Sequence, residues 1–494
     1  MKILLTSAFF LLLLNTSLFS GQTTAQKNSD SIDIFIKSKM EQLGIPGLQL
    51  GIIRNGKLEK LNNYGWANIE HHSMTQNNSV FSINSMTKAF VGVAILQLQE
   101  KGKLKTDDSI SKYLTDIPNE WKPITIKQLL SNTSGLPNNI DNKEQLLGDG
   151  TEEKNWEMVK KQSMEFIPGE QFSYNQTGYY ILGRIITQLS GQHFTKFIED
   201  NQFKLCQMSV TQFGDSNDII ENNAGAYSTI INKEGKWINA GSLHNIFASF
   251  PLFFRTATGI LSSAEDISHW LIALQEGKLL QNEKSIKELF TTVKLNNGSI
   301  GGFNKLTNGY ALGWPTVVRP EHPAAAPVGG MRSALFVYTE DDLSIIVLTN
   351  LQGANPEWFI DEIASYYIPD MKIENSFGLS PNMKLLYHQI TLDGYENTEK
   401  AYQKIKKKQK SFTLPEEEIN TWAYQLMGRN LKEKALYIFK LNTILHPNSF
   451  NVYDSYGEIL DVLGYQKEAV ANYKKSLLLN PDNTNASNYL KSKK

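Results

Sequence analysis

Ser85-Met86-Thr87-Lys88 is the stretch on which the interpretation of this chain depends. It stands where an extended segment gives way to a run of apolar residues at helical spacing. A cap from Asn84 or Ser82 would place Ser85 in the first helical turn and Lys88 on the same face one turn later. An ammonium beside a hydroxyl, at the positive end of a helix, is suited to activating a serine. An ordinary solvated helix start gives the same spacing, so the assignment depends on the rest of the chain.

The composition is that of a soluble globular protein with a large core. The chain has 494 residues, of which 41% are apolar and 20% charged. Its formal net charge is -1, so the overall charge of the protein does not attract nucleic acid. The basic run at 404–410 lacks an interleaved aromatic pattern, so a solvated helix face explains it better than nucleic-acid binding.

The N-terminus predicts export. Met1-Lys2 and the apolar run at 3–19 indicate a signal peptide over residues 1–25, with cleavage near Gly21 or Ala25. The competing interpretation is an uncleaved membrane anchor, but polar residues interrupt the run. We expect no stable membrane span after cleavage, because no other stretch is long and apolar enough. Cys206 is the single cysteine, so no intrachain disulfide forms and no lipobox is present. A periplasmic or secreted protein is expected.

Helical segments lie between strand-like runs that come early and late in the first two-thirds of the chain. Runs at 48–53 and 58–64 flank Arg54-Asn55-Gly56-Lys57, which carries the Asn-Gly hairpin signal. Strand-like runs return at 334–338 and 344–348. This order predicts an α/β (α+β) domain over 26–372 whose sheet joins the two ends of the domain.

The pattern of the sequence changes near Ser380, after which strand signals stop and helical signals continue. Residues of similar type then recur every 34 positions: Ala401, Ala435 and Ala469; Ile405, Phe439 and Tyr473; Pro447 and Pro481; Trp422 and Tyr456. This period resembles that of tetratricopeptide repeats, with an unrelated helical bundle as the alternative. We predict repeats over 411–494 and a helical linker or degenerate repeat over 373–410. The repeats would recognise a protein partner or an extended peptide.

Several motifs of the first domain form one constellation. They are Phe81-x-x-x-Ser85-x-x-Lys88; Leu129-Leu130-Ser131-Asn132-Thr133-Ser134-Gly135-Leu136-Pro137; Pro168-Gly169 with Phe172-x-Tyr174-x-x-x-Gly178-Tyr179; Gly259-Ile260-Leu261-Ser262-Ser263-x-x-Asp266; Tyr310-x-Leu312-Gly313-Trp314; and Leu348-Thr349-Asn350. Residues 46–369 thereby resemble the serine beta-lactamase superfamily, nearest to class C beta-lactamases, D-Ala-D-Ala peptidases and related esterases. The resemblance implies an antiparallel sheet flanked by helices, with a helical subdomain.

The chemistry that this resemblance implies is acyl transfer. Ser85 is the expected nucleophile, and Lys88 and Tyr174 share the task of removing its proton. A free tyrosine has a pKa of ~10, so Tyr174 acts as a base only where cations stabilise its phenolate. Lys88 is the nearest candidate cation. A tyrosine in a turn is otherwise an ordinary core or surface aromatic.

Two positions depart from the pattern of the superfamily. The second motif usually ends in asparagine, whereas this chain has Gln176, whose longer side chain shifts its reach towards a substrate carbonyl. The third motif, usually Lys-Thr-Gly or His-x-Gly, falls on Ala324-Ala325-Ala326 in the usual register. Pro327 would then follow at the position that lends an oxyanion-hole N–H, which proline lacks.

A second register places His322-Pro323-Ala324 at the third motif. It supplies an imidazole and leaves the Ala325 N–H free, so we expect His322 to face the cleft and the Ala325 N–H to face Ser85. A solvated loop histidine is the alternative for His322.

The sequence therefore favours an exported serine hydrolase acting on a small-molecule or peptide amide or ester. No metal or cofactor is expected, because the histidines are scattered and no glycine-rich phosphate loop occurs. The alternative is a catalytically weak or inactive binding protein of the same fold that acts through its repeat domain.

Overall fold

The computed structural model describes residues 30–140, 146–148, 150–233, 236–372, 375–429 and 431–493. The predicted signal peptide at 1–25 lies outside them. The chain divides into two compact units, the first ending at Tyr366 and the second beginning at Tyr367. Within the described ranges, none of the helices combines the length and the apolar character that crossing a bilayer requires.

A nine-stranded antiparallel sheet forms the backbone of the first unit. Its strands are β1 (Gly47–Arg54), β2 (Lys57–Asn68), β3 (Ser73–Met74), β9 (Gly309–Tyr310), β10 (Pro315–Val317), β11 (Ala324–Ala325), β12 (Val328–Gly329), β13 (Ser333–Tyr338) and β14 (Leu343–Thr349). The order across the sheet is β3-β2-β1-β14-β13-β11-β10-β9, and β12 also pairs with β13. Pairing of β1 with β14 joins the two ends of the domain, as the sequence predicted.

The predicted Asn-Gly hairpin is present between β1 and β2. Asn55 and Gly56 both adopt left-handed conformations, with φ of 49° and 69°, which is the geometry of a two-residue type I′ turn. This turn suits the right-handed twist of the two strands, so it fixes their register at the start of the sheet.

Two smaller sheets lie outside the large one. They are β4 (Phe81–Ser82), β8 (Ile260–Ser262) and β5 (Gln212–Phe213), in the order β4-β8-β5, and the hairpin of β6 (Tyr227–Lys233) with β7 (Lys236–Asn245). The helices of the first unit are α1 (30–43), α2 (Thr87–Glu100), α3 (Ile126–Leu130), α4 (Glu152–Val159), α5 (Thr177–Ser190), α6 (Phe194–Ile198), α7 (Ala264–Gln275), α8 (Glu283–Phe290) and α9 (Ile360–Ala364).

Helix α2 is the central helix of the first unit, and every residue from Thr87 to Leu98 is buried. Phe90 stacks on Trp270 of α7 at a centroid distance of 4.1 Å. The chain around Gly313 approaches α2 so closely that a Cβ there would lie 2.4 Å from the Lys88 carbonyl oxygen. A helix enclosed on all sides holds its first turn rigidly, and this positions the residues at its N-terminus.

The second unit is all helical in its described residues. Its helices are α10 (Pro381–Asp393), α11 (Thr398–Lys408), α12 (Glu416–Gly428), α13 (Lys432–Leu445), α14 (Phe450–Val462), α15 (Gln466–Leu479) and α16 (Thr484–Ser492). Helices α12 and α14 begin 34 residues apart, as do α13 and α15. The repeated alanines Ala401, Ala435 and Ala469 are fully buried. The helical character is confirmed, and the assignment to tetratricopeptide repeats stays a prediction.

Candidate active site

Ser85 lies in a tight turn immediately before α2. The 3-10 turn Asn84–Met86, called the Ser85 turn below, leads directly into the helix, and Asn84 is left-handed with φ 49°. The predicted cap from Asn84 or Ser82 is wrong, because neither the turn nor α2 has a side-chain cap. Asn84 Nδ2 donates instead to the Ser82 carbonyl oxygen at 3.0 Å. Ser85 is partly exposed and therefore accessible.

Lys88 lies beneath Ser85 in a fully enclosed position. Its Nζ donates to the Ala257 carbonyl oxygen at 2.6 Å and to Gln176 Oε1 at 2.8 Å. The same Nζ lies 4.7 Å from the ring centroid of Tyr174 and 4.9 Å from that of Tyr179. Burial lowers the pKa of Lys88 well below its usual value, because desolvation disfavours the ammonium. This lysine is suited to act as a base.

Tyr174 joins Ser85 to this group. The side chains of Ser85 and Gln176 interact with its hydroxyl. Burial raises the pKa of Tyr174 to about 12, and these two interactions oppose the increase only in part. The phenol is therefore protonated at neutral pH. The structure thus brings together four predicted site residues: Ser85, Lys88, Tyr174 and Gln176.

The Tyr174 segment is held by the loop that follows α3. Asn132 Oδ1 accepts the Asn175 N–H at 3.1 Å, and the Asn132 carbonyl oxygen accepts the Ser173 N–H at 3.0 Å. Asn175 Nδ2 in turn donates to the Leu136 carbonyl oxygen at 2.7 Å. Asn132 thus fixes the backbone on both sides of Tyr174. Sequence analysis assigned no role to Asn132.

An aromatic wall flanks Tyr174, and sequence reasoning missed it. The Phe303 ring lies 4.9 Å from Tyr174 and 5.8 Å from Tyr310, and Phe172 lies 5.7 Å from Phe303. Phe303 is 39% exposed, so an aromatic face is open to solvent beside the site. The motifs did not single out Phe303, because it belongs to the loop before Tyr310 and only tertiary packing brings this loop to Tyr174.

The structure does not bring His322 to Ser85. His322 Nδ1 lies 2.8 Å from Asp341 Oδ1, in the turn between β13 and β14. The opposite end of β13 adjoins the Ser85 turn, where Ser333 Oγ donates to the Ile83 carbonyl oxygen at 3.0 Å. The five steps from Ser333 to the other end of β13 span about 17 Å at the usual rise of a strand. His322 therefore does not face the cleft, and its proposed role there is corrected.

The Ala325 N–H points towards β13 and not towards Ser85, because backbone N–H groups alternate in direction along a strand. The Leu335 N–H of β13 donates to the Pro327 carbonyl oxygen at 2.9 Å, whereas the Ala326 N–H donates at 2.7 Å to β10 on the other side. Hydrogen-bonded and non-bonded positions alternate along an antiparallel pair. Ala325 and Pro327 therefore face β13 with their backbone polar groups. The N–H that Pro327 lacks would have pointed to β13, so its absence removes a hydrogen bond of the sheet and does not affect the site.

Val328 is the next residue after Ala326 whose N–H turns away from β13. Strand β12, which contains Val328, lies directly against the Ser85 turn. A Cβ added to Gly329 would lie 2.0 Å from the Ile83 carbonyl oxygen, so only glycine permits this approach. The backbone of β12 is thereby placed beside Ser85.

The chain is similar to several known proteins. The Beta-lactamase family model matches residues 32–365. The protein flp of Staphylococcus aureus (strain MRSA252) is 27% identical over 343 residues, which cover 66% of this chain and 64% of that protein. The chain thus spans less than two-thirds of that relative.

Two further similarities extend the comparison. A candidate penicillin-binding protein of Bacillus subtilis (strain 168), PbpX, is 28% identical over 60% of this chain and 76% of that protein. An octameric penicillin-binding protein homologue from Pyrococcus abyssi has a TM-score of 0.58 at 22% identity, covering 72% of this chain and 81% of that chain. The structural similarity concerns the fold.

Proposed function

This chain belongs to the beta-lactamase family, and we propose that it is a serine hydrolase that cleaves an amide or ester through an acyl-enzyme on Ser85. The observation that carries the proposal is the buried Lys88, whose Nζ lies against the ring of Tyr174, while the Tyr174 hydroxyl interacts with Ser85. A buried lysine without a carboxylate partner among the described residues is costly, and such an arrangement is typical of a functional site.

The proposed first step is attack of Ser85 Oγ on the substrate carbonyl carbon. The proton of Ser85 passes to the Lys88–Tyr174 pair, with neutral Lys88 as the general base. The C–N or C–O bond then breaks, and the departing nitrogen or oxygen takes up the proton by way of Tyr174. Water then attacks the acyl carbon and gives its proton to the same pair. The bond to Ser85 Oγ breaks, and the pair returns the proton to Ser85 Oγ as the acid leaves.

The oxyanion that forms in each step needs two N–H donors aimed at one point. We propose that they are the N–H groups of Ser85 and Val328. The support for Val328 is its outward-facing N–H and the contact of β12 with the Ser85 turn. This arrangement would keep an oxyanion hole despite Pro327.

The substrate is proposed to carry an apolar group next to its reacting carbonyl. The exposed face of Phe303 beside Tyr174 is the surface that would receive this group. A D-amino-acid peptide, a beta-lactam or an apolar ester satisfies this requirement, in keeping with the name of the Bacillus subtilis relative. Export to the periplasm or the medium, and a protein or peptide partner for the helical second unit, belong to the same proposal.

A second candidate is a binding protein of this fold without turnover. The observation that favours it is the third motif, where Ala324, Ala325 and Ala326 are all buried and offer no polar side chain to a substrate. Such a protein would bind the same substrates but would leave Ser85 unmodified.

Labelling with a fluorophosphonate separates the two candidates, because only an activated serine reacts rapidly. We expect the intact protein to gain one label, located on Ser85 by peptide mass. Ser85→Ala should prevent both labelling and ester hydrolysis while leaving the fold intact, and Ser82→Ala is the matched control. Absence of labelling in a folded wild-type protein would favour the binding protein.

A further inference from the structure

A cavity of about 150 Å³ lies beside β4. Its lining includes Phe81 and Ser82 of β4, Leu261 of β8 and Arg332 at the start of β13, whereas Ser85, Lys88 and Tyr174 do not line it. Phe247, which is 83% exposed, stands at its edge, so the cavity is close to the surface. Its shape and lining are separate from the proposed reaction centre.

Arg332 lines this cavity with a buried and unneutralised charge. The residue is 6% exposed, and its Nη2 donates to Asn84 Oδ1 at 3.1 Å. Its Nε is buried without a hydrogen-bond partner in the part of the chain that the structure describes. Guanidinium carries five N–H donors and a permanent charge, so a buried arginine whose hydrogen bond goes to a neutral amide has donors left for an anion. Burial lowers the pKa of Arg332 to about 10, with no charged group offsetting the desolvation.

Asp215 is the acidic residue of the cavity lining, and its hydrogen bonds go to groups other than Arg332. Asp215 accepts the N–H groups of Phe250 at 2.6 Å and Asn217 at 2.8 Å. Arg255 Nη2 lies 3.5 Å from Asp215 Oδ2 and 2.7 Å from Asp218 Oδ2, so Arg255 is shared between two carboxylates. Among the described residues, neither carboxylate forms an ion pair with Arg332, whose hydrogen bond to Asn84 goes to a neutral amide.

We propose that Arg332 binds the carboxylate of a small organic acid in this cavity. The planar guanidinium fork matches a carboxylate, and Phe81 and Leu261 provide apolar surface for a short carbon chain. At about 30 Å³ per water molecule in the liquid, the volume holds a group of about five non-hydrogen atoms. This is the size of propionate or lactate.

Calorimetric titration of the full chain with propionate tests the proposal. Propionate should bind and raise the Tm, whereas the neutral isostere propionamide should do neither at the same concentration. Arg332→Gln should weaken propionate binding at least ten-fold, and the surface control Arg54→Gln should leave it unchanged. Equal binding of propionate and propionamide, or unchanged binding by Arg332→Gln, would overturn the proposal.

Two further binding measurements keep the test decisive. Ala226→Leu fills the cavity without touching the guanidinium, so it should abolish propionate binding even where Arg332→Gln fails to fold. Inorganic phosphate is the competing small anion. Binding of phosphate without binding of propionate, or retention of propionate binding by Ala226→Leu, would contradict a carboxylate site here.

Discussion

Lys88 and Tyr174 divide the task of proton transfer in a way that their burial decides. The sequence suggested a phenolate held by a cation, but burial raises the pKa of Tyr174 to about 12 and lowers that of Lys88. Desolvation disfavours both charged forms, so burial favours the neutral amine of Lys88 and the protonated phenol of Tyr174. A neutral amine can accept the proton of Ser85, and the phenol can pass a proton to the leaving group.

The pH dependence of kcat/KM follows from these two shifts. We expect activity to require neutral Lys88, so the rate should fall as pH falls through a pKa well below the usual 10.5 of lysine. The rate should persist at alkaline pH until Tyr174 ionises near 12. Lys88→Arg places a permanently charged guanidinium at this position, and the variant should be inactive at every pH because it cannot act as a base. A rate that begins to rise only near pH 12 would indicate a Tyr174 phenolate as the base instead.

Losses at Lys88 and Tyr174 should not add, because the two residues act as one unit. Lys88→Ala should reduce kcat by several orders of magnitude, and the double variant with Tyr174→Phe should be no slower within error. A double-mutant cycle on one ester substrate measures this coupling. If the loss of kcat in the double variant equals the product of the two single losses, Lys88 and Tyr174 serve separate steps.

The oxyanion hole gives a matched pair of substitutions. Val328→Pro removes the proposed donor and should reduce kcat by about 10²–10³-fold, equivalent to ~2.7–4 kcal/mol of transition-state stabilisation. Pro327→Ala restores an N–H that faces β13, so it should leave kcat unchanged. His322→Ala should also leave kcat unchanged, since that side chain is bound to Asp341. A large loss from His322→Ala and none from Val328→Pro would reinstate the register suggested by sequence.

At the level of elements, strand β12 and the Ser85 turn form one rigid body. The turn contains left-handed Asn84, which Arg332 and the Ser82 backbone hold through the amide side chain. Strand β12 reaches this turn only because Gly329 has no side chain. The geometry of the site therefore depends on a contact between two backbones.

Gly329→Ala tests that contact. A methyl group there would lie 2.0 Å from the Ile83 carbonyl oxygen, so β12 must move away from the Ser85 turn. We expect kcat to fall at least ten-fold and stability to fall by about 1–3 kcal/mol, as for other overpacked sites. Gly428→Ala is the control, because open space surrounds that position. Circular-dichroism melting and ester kinetics measure both effects, and normal kinetics for Gly329→Ala would show that β12 does not position the site.

The elements that sequence predicted correctly are those with a local signal. Apolar periodicity placed α2, and the Asn-Gly dipeptide placed the first hairpin. The prediction for the third motif was wrong because Ala324, Ala325 and Ala326 have no polar side chain that would identify the register. The direction of each N–H there depends on pairing with β13, which spacing along the chain does not encode. Phe303 was missed for a similar reason, since tertiary packing alone brings its loop to Tyr174.

At the scale of the whole molecule, each unit has its own core. The first is centred on α2, and the second unites buried residues such as Leu386, Trp422 and Phe439 from α10, α12 and α13. Stacked helical pairs bury their apolar faces against neighbouring pairs, so such arrays gain stability from nearest-neighbour contacts. We therefore treat the second unit as a separate folding unit that is dispensable for the chemistry.

Truncation tests this division. A chain that ends at residue 372 retains all of the first unit, the Ser85 turn and β12. Its residues bury a core of their own that is centred on α2, so we expect it to fold. It should hydrolyse a small ester with kcat and KM within about two-fold of the full chain, since no described site residue lies beyond Tyr366. Residues 373–494 expressed separately should be helical by circular dichroism and inert towards fluorophosphonate. An insoluble or unfolded N-terminal fragment would mean that the helical unit stabilises the hydrolase fold, and a folded but inactive fragment would mean that it completes the site.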